Sequence, residues 1–277
     1  MQGMIRVSDG YPSLSQAWVI FVIFLAASIG IGLLIGKIIE ISGFQNLSIG
    51  NFIGYNISLL FVIWFAWTNR IKHAGAVFHF TTIPPVLYPL LIILTMSFAI
   101  FLDPLTNLIP MPDLMEQILD MLAKKDIWTF MMVGITGPIL EEILFRGIIL
   151  DGFLTRYKPG KAIFWSAFLF GLFHLNPWQF IPGFLIGLLL GYIYLKTRSL
   201  IPVILVHIVN NSFSYLIMYF YGADVNSFVD LFTESRDYIL FLTGSTLICA
   251  LSLIILYKKL NQNTEKCIYN SEKSSSS

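Results

Sequence analysis

The chain has 277 residues, 56% of them hydrophobic and 12% charged, with a net charge of +1 and a mean hydropathy of +0.77. A soluble domain carries about 25% charged residues, so this chain cannot turn most of its surface to water, and its near-neutral charge gives no basis for nucleic-acid binding. The two cysteines, Cys249 and Cys267, supply neither a disulfide framework nor a metal-ligand spacing.

The apolar residues fall in runs of about 17 to 22, the length at which a helix crosses a hydrocarbon layer of about 30 Å. Inside lipid each backbone amide must be satisfied within its own segment, so these runs are helical. The predicted class is an all-α, polytopic transmembrane helix bundle of about eight spans. The N-terminus opens with a polar stretch of about 16 residues before a full-length apolar run, which is not the pattern of a cleavable signal. The first three spans are expected at 17–36, 47–67 and 86–102.

From Asp103 to Asp126 the chain is too polar to cross. Within it Leu114, Met115, Ile118, Leu119 and Leu122 fall at helical spacing opposite Asp113, Glu116, Gln117 and Asp120. That pattern predicts a short helix lying in the interface. Further spans are expected at 127–150, 161–175, 180–195, 201–220 and 238–257, with Asn176, Pro177 and Trp178 marking the turn between the fifth and sixth. The chain then divides into a three-span region with the interfacial helix (1–126), a core (127–220), and a last span with a polar tail ending in serines (221–277). The serine run is read as disordered.

An even number of spans puts both termini on one side. The segments on that side carry Arg6, Arg70, Lys72, Arg156, Lys158, Lys161, Lys196, Arg198, Lys258, Lys259, Lys266 and Lys273, against Lys37, Lys124, Lys125 and Arg236 opposite. The positive-inside rule therefore places both termini in the cytoplasm, and the cell membrane is the expected location. Glycines recur every fourth residue, Gly32 with Gly36 and Gly183 with Gly187 and Gly191. Such spacing clears a helix face for close packing, which we read as packing within one bundle, with dimerisation as the alternative; the oligomeric state stays open.

Ionisable groups inside spans are the informative exceptions, since each costs at least about 2.5–3.5 kcal/mol. The fourth span contains Glu141, Glu142 and Arg146. Glu142 and Arg146 are four apart, acid first, the order that suits a helical ion pair. Glu141 points elsewhere and faces Phe145 at its own fourth position, so one carboxylate is left free. Pro138, with Gly134 and Gly137, opens or kinks the helix beside it. The fifth span ends in Phe170 and His174, and the seventh holds His207 and Asn211 one turn apart. By contrast His73 and His79 sit near Arg70 and Lys72 and read as surface residues.

A carboxylate and an imidazole converging on one water can deprotonate it as it attacks a carbonyl. A second histidine and an amide N–H can stabilise the oxyanion, at about 2.7–4 kcal/mol per donor. The same groups could also hold Zn²⁺ through Glu141, His174 and His207 with an open position for water. No His-Glu-x-x-His pair is present on one helix. Spacing leaves both mechanisms standing.

The ordered triplet Glu141-Glu142-x-x-x-Arg146, Phe170-x-x-x-His174 and His207-x-x-x-Asn211 resembles the motif pattern of the CPBP family. That family comprises the CAAX proteases and bacteriocin-processing enzymes, related to type II CAAX prenyl endopeptidases. The resemblance covers about 130 to 215. It implies an intramembrane endopeptidase with a water-filled cavity, acting on a membrane-associated protein or peptide. By the same resemblance Glu141 is the general base, His174 helps to activate the water, and His207 and Asn211 form the oxyanion site. Glu142 and Arg146 support them. The glutamate-dependent, cofactor-free mechanism is favoured over Zn²⁺. Two competing readings keep the same residues: a non-catalytic membrane scaffold or immunity partner, and a transporter with a proton relay. The transporter reading lacks the paired broken helices of two matching halves.

Overall fold

A computed structural model describes residues 10–43, 46–74, 78–106, 108, 126–221 and 227–275. Among these the chain folds as helices alone: α1 (Leu14–Ser42), α2 (Leu47–Ala74), α3 (Leu87–Thr106), α4 (127–156), α5 (Pro159–Leu172), α6 (Pro177–Thr197), α7 (Leu200–Tyr221) and α8 (Ser235–Ser275), with a 3-10 turn at Phe228–Leu231 before the last. The expected interfacial helix falls at 113–122, outside the described residues. The helical order matches the polytopic bundle read from the sequence, but several ends differ. The last helix runs on to Ser275, through part of the serine run read as disordered.

Local signals explain where the helices start and stop. Ser13 and Gln16 form a reciprocal capping box at the head of α1, and Gly43 closes it in the left-handed conformation. Asp126 caps α4 through the backbone N–H groups of Trp128 and Thr129. Asn176 caps α6, with Pro177 in its first turn.

Six helices, α1, α2, α3, α6, α7 and α8, are long and apolar enough to cross a membrane. Of the eight helices, α4, which π-helical stretches divide, and α5 are the two outside that set. Helix α5 has 14 residues, which at about 1.5 Å per residue reaches roughly 21 Å, short of a hydrocarbon core. It ends inside the bundle, three residues before the point expected.

Helix α1 pairs with α2, α5 with α6, and α3 with α8, while α4 and α7 pack between these pairs. The inner core is built where α4 meets α6 and α7: Leu144, Phe145, Ile148, Leu190, Ile193 and Val203 are at most 2% exposed. Outer faces such as Ile29, Leu33 and Ile41 on α1 are bare and apolar, as lipid contact requires.

The two glycine rows behave differently. A Cβ on Gly187 would stand 3.1 Å from Ala167 and one on Gly191 2.9 Å from Ile163, so this face of α6 lies directly on α5. Gly32 and Gly36 have nothing within 4 Å of where a Cβ would be. Packing within the bundle therefore does not account for them, because they face outward on α1.

Helix α4 changes type along its length. A π-helical stretch, Met131–Thr136, leads into an α-helical turn, Gly137–Glu142, and a second π-helical stretch, Ile143–Leu150, follows. Pro138 has no N–H for the carbonyl of Gly134, and a Cβ on Gly137 would lie 2.6 Å from the Met132 carbonyl. The local opening expected beside Glu141 is thus present, as a π-helix rather than a sharp kink.

Candidate active site

The short α-helical turn between the π-stretches carries Glu141 and Glu142, and side chains from other helices hold its flanks. On one side Asn211 Nδ2 donates to the Val133 carbonyl at 3.1 Å and Ser212 Oγ to the Gly134 carbonyl at 3.3 Å. On the other, Arg70 of α2 donates to the carbonyls of Gly147 and Ile148 at 3.3 and 2.9 Å, and to Asp151. Arg70 was expected in a loop. It is 5% exposed instead, because α2 continues past it and the π-stretch leaves carbonyls that need a donor. Asp151 also accepts from Tyr194 Oη and Arg198 Nη1, both at 3.1 Å.

Glu142 and Arg146 form the pair their spacing predicts. Arg146 Nη1 lies 2.7 Å from Glu142 Oε1, with both side chains fully buried. Arg146 also donates to the Gly187 carbonyl at 3.2 Å and stands over the Phe170 ring at 4.5 Å from its centre. It thereby ties α4 to α5 and α6. These further contacts offset part of the cost of burying the pair, although Glu142 Oε2 and Arg146 Nε are buried without a hydrogen-bond partner.

His207 lies between the two carboxylates. Its Nδ1 is 2.8 Å from Glu142 Oε1, and its Nε2 is 3.8 Å from Glu141 Oε2. Glu142 therefore fixes the ring and turns its other nitrogen towards Glu141. Glu141 is 6% exposed. Its Oε1 accepts from Tyr55 Oη at 2.5 Å, whereas its Oε2 is buried with no hydrogen-bond partner. The sequence reading had left Glu141 with no partner on its own helix, and that holds; the Tyr55 hydroxyl comes from α2. The only sequence signal for it is a tyrosine within an apolar span.

His174 sits in the turn beyond α5. Leu175 takes a positive φ of 57° there, and Asn176 Nδ2 donates to the His174 carbonyl at 2.9 Å while capping α6. This turn folds the imidazole back against Gly183, whose absent Cβ leaves the ring room at 3.4 Å. Its Nδ1 is 3.1 Å from the Phe170 carbonyl. The Phe170 ring lies between the histidines, edge-on, at 5.5 Å from His174 and 5.3 Å from His207. Asn211 is held by Asn210, whose Nδ2 donates to its Oδ1 at 3.1 Å.

His174, His207 and Asn211 line one cavity of about 330 Å³, with Phe170, Gln179 and Asn210 on the same walls. The site residues predicted from sequence are therefore gathered at one place, with Glu141 behind His207. His79 is exposed and apart from it. Among the described residues no three His, Cys, Asp or Glu side chains stand together so as to hold a metal ion. In the alternative Zn²⁺ set, Glu141 Oε2 and His207 Nε2 stay unengaged and 3.8 Å apart, while Tyr55 and Glu142 hold their other atoms.

Residues 123–213 match the family described as type II CAAX prenyl endopeptidase Rce1-like. Among curated proteins, the membrane-embedded CAAX protease MroQ of Staphylococcus aureus is 30% identical over 105 residues, covering 35% of this chain and 42% of that protein. The putative membrane peptidase YdiL of Bacillus subtilis is 30% identical over 80 residues, covering 29% and 33%. The chain thus matches less than half the length of each. No solved structure matches it.

Proposed function

We propose that this chain is a CPBP-type intramembrane endopeptidase that hydrolyses a peptide bond in a membrane-associated protein or peptide, a reading that the family match over residues 123–213 and the two membrane peptidase relatives support. The observation that carries the reading is the position of Glu141: its Oε2 is buried, unpartnered and 3.8 Å from His207 Nε2, whereas Glu142, whose Oε2 is also unpartnered, is tied through Oε1 to both Arg146 and His207. A water delivered there meets a base already aimed at it.

In this reading Glu141 takes a proton from the water as its oxygen attacks the carbonyl carbon. Tyr55 holds the other carboxylate oxygen and so fixes the direction of the base. His174 orients the water through the ring nitrogen that the Phe170 carbonyl does not engage. The developing oxyanion faces His207 and Asn211. In the protonated ring both nitrogens of His207 donate, Nδ1 to Glu142 and Nε2 towards the oxyanion. Asn211 spends one amide hydrogen on Val133 and keeps the second. Glu141 then returns the proton to the leaving amine. No step is routed through a metal.

A membrane scaffold would keep the fully buried Glu142–Arg146–Gly187 connection for packing alone. Turnover in ¹⁸O-labelled water by protein reconstituted in liposomes separates the two readings. Reconstituted wild type, given detergent-extracted membrane proteins, produces new carboxy termini that carry ¹⁸O, in the presence of a metal chelator as well. A scaffold produces none.

A further inference from the structure

The cavity lies towards one end of the bundle. Its walls come from the last turns of α3, the turn after α5, the first half of α6, the second half of α7 and the 3-10 turn at Phe228. All of these lie at the end bearing Thr106, Asp126, the turn after α5, Tyr221 and Ser235. At the opposite end the bundle is closed. Phe145, Arg146, Ile148, Leu150, Phe153 and Val203 are at most 2% exposed, and Arg70, Asp151 and Arg198 lock across them. His207 stands seven residues into α7, roughly 10 Å from its closed end. The cavity therefore reaches past the middle of the bundle from the far side.

The two ends also differ in charge. The closed end carries Arg70, Arg156, Lys158, Lys196, Arg198 and Lys258, whereas Arg236 is the cation near the open end among the described residues apart from Lys37 at the tip of α1. A cation-rich end is the one retained in the cytoplasm.

We infer that the substrate enters this cavity from the extracytoplasmic face, so that the bond cut belongs to an exported peptide or to an outward-facing segment of a membrane protein. The inference rests on the peptidase reading for the word substrate, but the direction of access does not depend on it. Near the mouth, Asp103 accepts from Ser227 Oγ at 2.8 Å, the Phe228 N–H at 3.0 Å and Tyr238 Oη at 2.9 Å. This carboxylate fixes the 3-10 turn and α8 to the end of α3 and holds that wall of the entrance in place. A polypeptide passing it meets Gln179, Asn210 and Ser214, whose amides and hydroxyl suit a peptide backbone, before it reaches His207.

Cysteine accessibility tests the direction without requiring catalysis. In a Cys249→Ala, Cys267→Ser background, Ser214→Cys and Thr106→Cys place thiols on the cavity wall, and Lys158→Cys places one at the closed end. A membrane-impermeant maleimide is applied to intact cells and to inverted vesicles. The expected result is labelling of Ser214→Cys and Thr106→Cys in intact cells and of Lys158→Cys in inverted vesicles only. Labelling of the cavity thiols from inverted vesicles alone overturns the inference. So does protection of both from either side when each reacts after denaturation. Repeating the experiment with Glu141→Gln keeps the two proposals apart: unchanged labelling in an inert protein upholds access whatever becomes of the chemistry.

Discussion

His207 Nδ1 lies 2.8 Å from Glu142 Oε1 while Arg146 Nη1 reaches the same oxygen at 2.7 Å. One buried carboxylate oxygen thus joins the ion pair within α4 to the imidazole that faces Glu141. The second of two adjacent glutamates orients His207, and the first keeps one oxygen unpartnered. Glu142→Gln keeps the side-chain length but removes the charge that holds both partners. We predict a less stable protein, because Arg146 is left buried without its anion, whose folded fraction cleaves on the order of 10²-fold more slowly, the cost of about 1 Å of misplacement at a reacting group. Rate and thermal unfolding measured on the same preparation check this.

Arg146 is a stability residue. Arg146→Ala leaves Glu142 buried without its cation, a change that costs about 3–5 kcal/mol, so the variant is expected to unfold at markedly lower temperature or fail to accumulate. Arg146→Lys should recover little, because one ammonium cannot serve Glu142 and the Gly187 carbonyl in the planar geometry of the guanidinium. Thermal unfolding in detergent reads both.

Tyr55→Phe removes a single hydroxyl from Glu141 Oε1. A hydrogen bond to a charged group contributes about 1.5–3 kcal/mol. If about 1.4 kcal/mol of that acts in the transition state, the rate falls about tenfold. An unchanged rate would remove Tyr55 from the account and leave Glu141 positioned by its helix alone.

The glycines give a paired test of packing. Gly171→Ala would put a methyl 2.8 Å from the Phe180 carbonyl, forcing α5 and α6 apart beside His174, at about 1–3 kcal/mol. Gly36→Ala meets open space and should stay within about 0.5 kcal/mol of wild type. Chemical unfolding of the two variants separates the roles of the two glycine rows.

Asp126, at the membrane end of α4, carries a pH dependence. Partial burial opposes its charge, but hydrogen bonds from the Thr129 backbone, the Ser48 and Thr129 hydroxyls and the Trp128 backbone outweigh it, and hold the carboxyl below its ordinary 3.8. Its contribution is therefore complete above that ordinary value and is lost as the pH falls through the lower folded one. Asp126→Ala should be less stable than wild type by about 1 kcal/mol at neutral pH, the usual worth of an N-cap. The gap should narrow in acid as the wild-type carboxyl becomes neutral. Unfolding of both proteins across pH 3–7 (about the range in which a carboxylate titrates) checks the direction.

What could be read from the sequence was what lies close along one helix. The Glu142–Arg146 pair follows from a spacing of four, and the opening near Glu141 follows from Pro138. Contacts between distant segments were not legible: nothing near residue 141 points to Tyr55, 86 positions away, and nothing near 211 points to the Val133 carbonyl. The placement of His174 was obscured for a different reason. Hydropathy carries the apolar run through the turn after α5, whereas the backbone reverses at Leu175, so a residue expected near the outer end of a span lies instead against Gly183. Arg70 was taken for a loop cation because an arginine at the edge of an apolar run usually is one. Only the π-helical carbonyls of α4 explain its burial.

The central claim is that Glu141 is the base of a peptidase, and the most direct measurement is a comparison of newly formed peptide termini. Membranes from cells expressing wild type or Glu141→Ala, at matched levels, are profiled for termini without prior choice of substrate. The account predicts termini present only with the wild type, from a folded variant that accumulates normally. Identical profiles, with the cellular phenotype of the wild type lost in Glu141→Ala, would contradict it and leave the polar network as architecture.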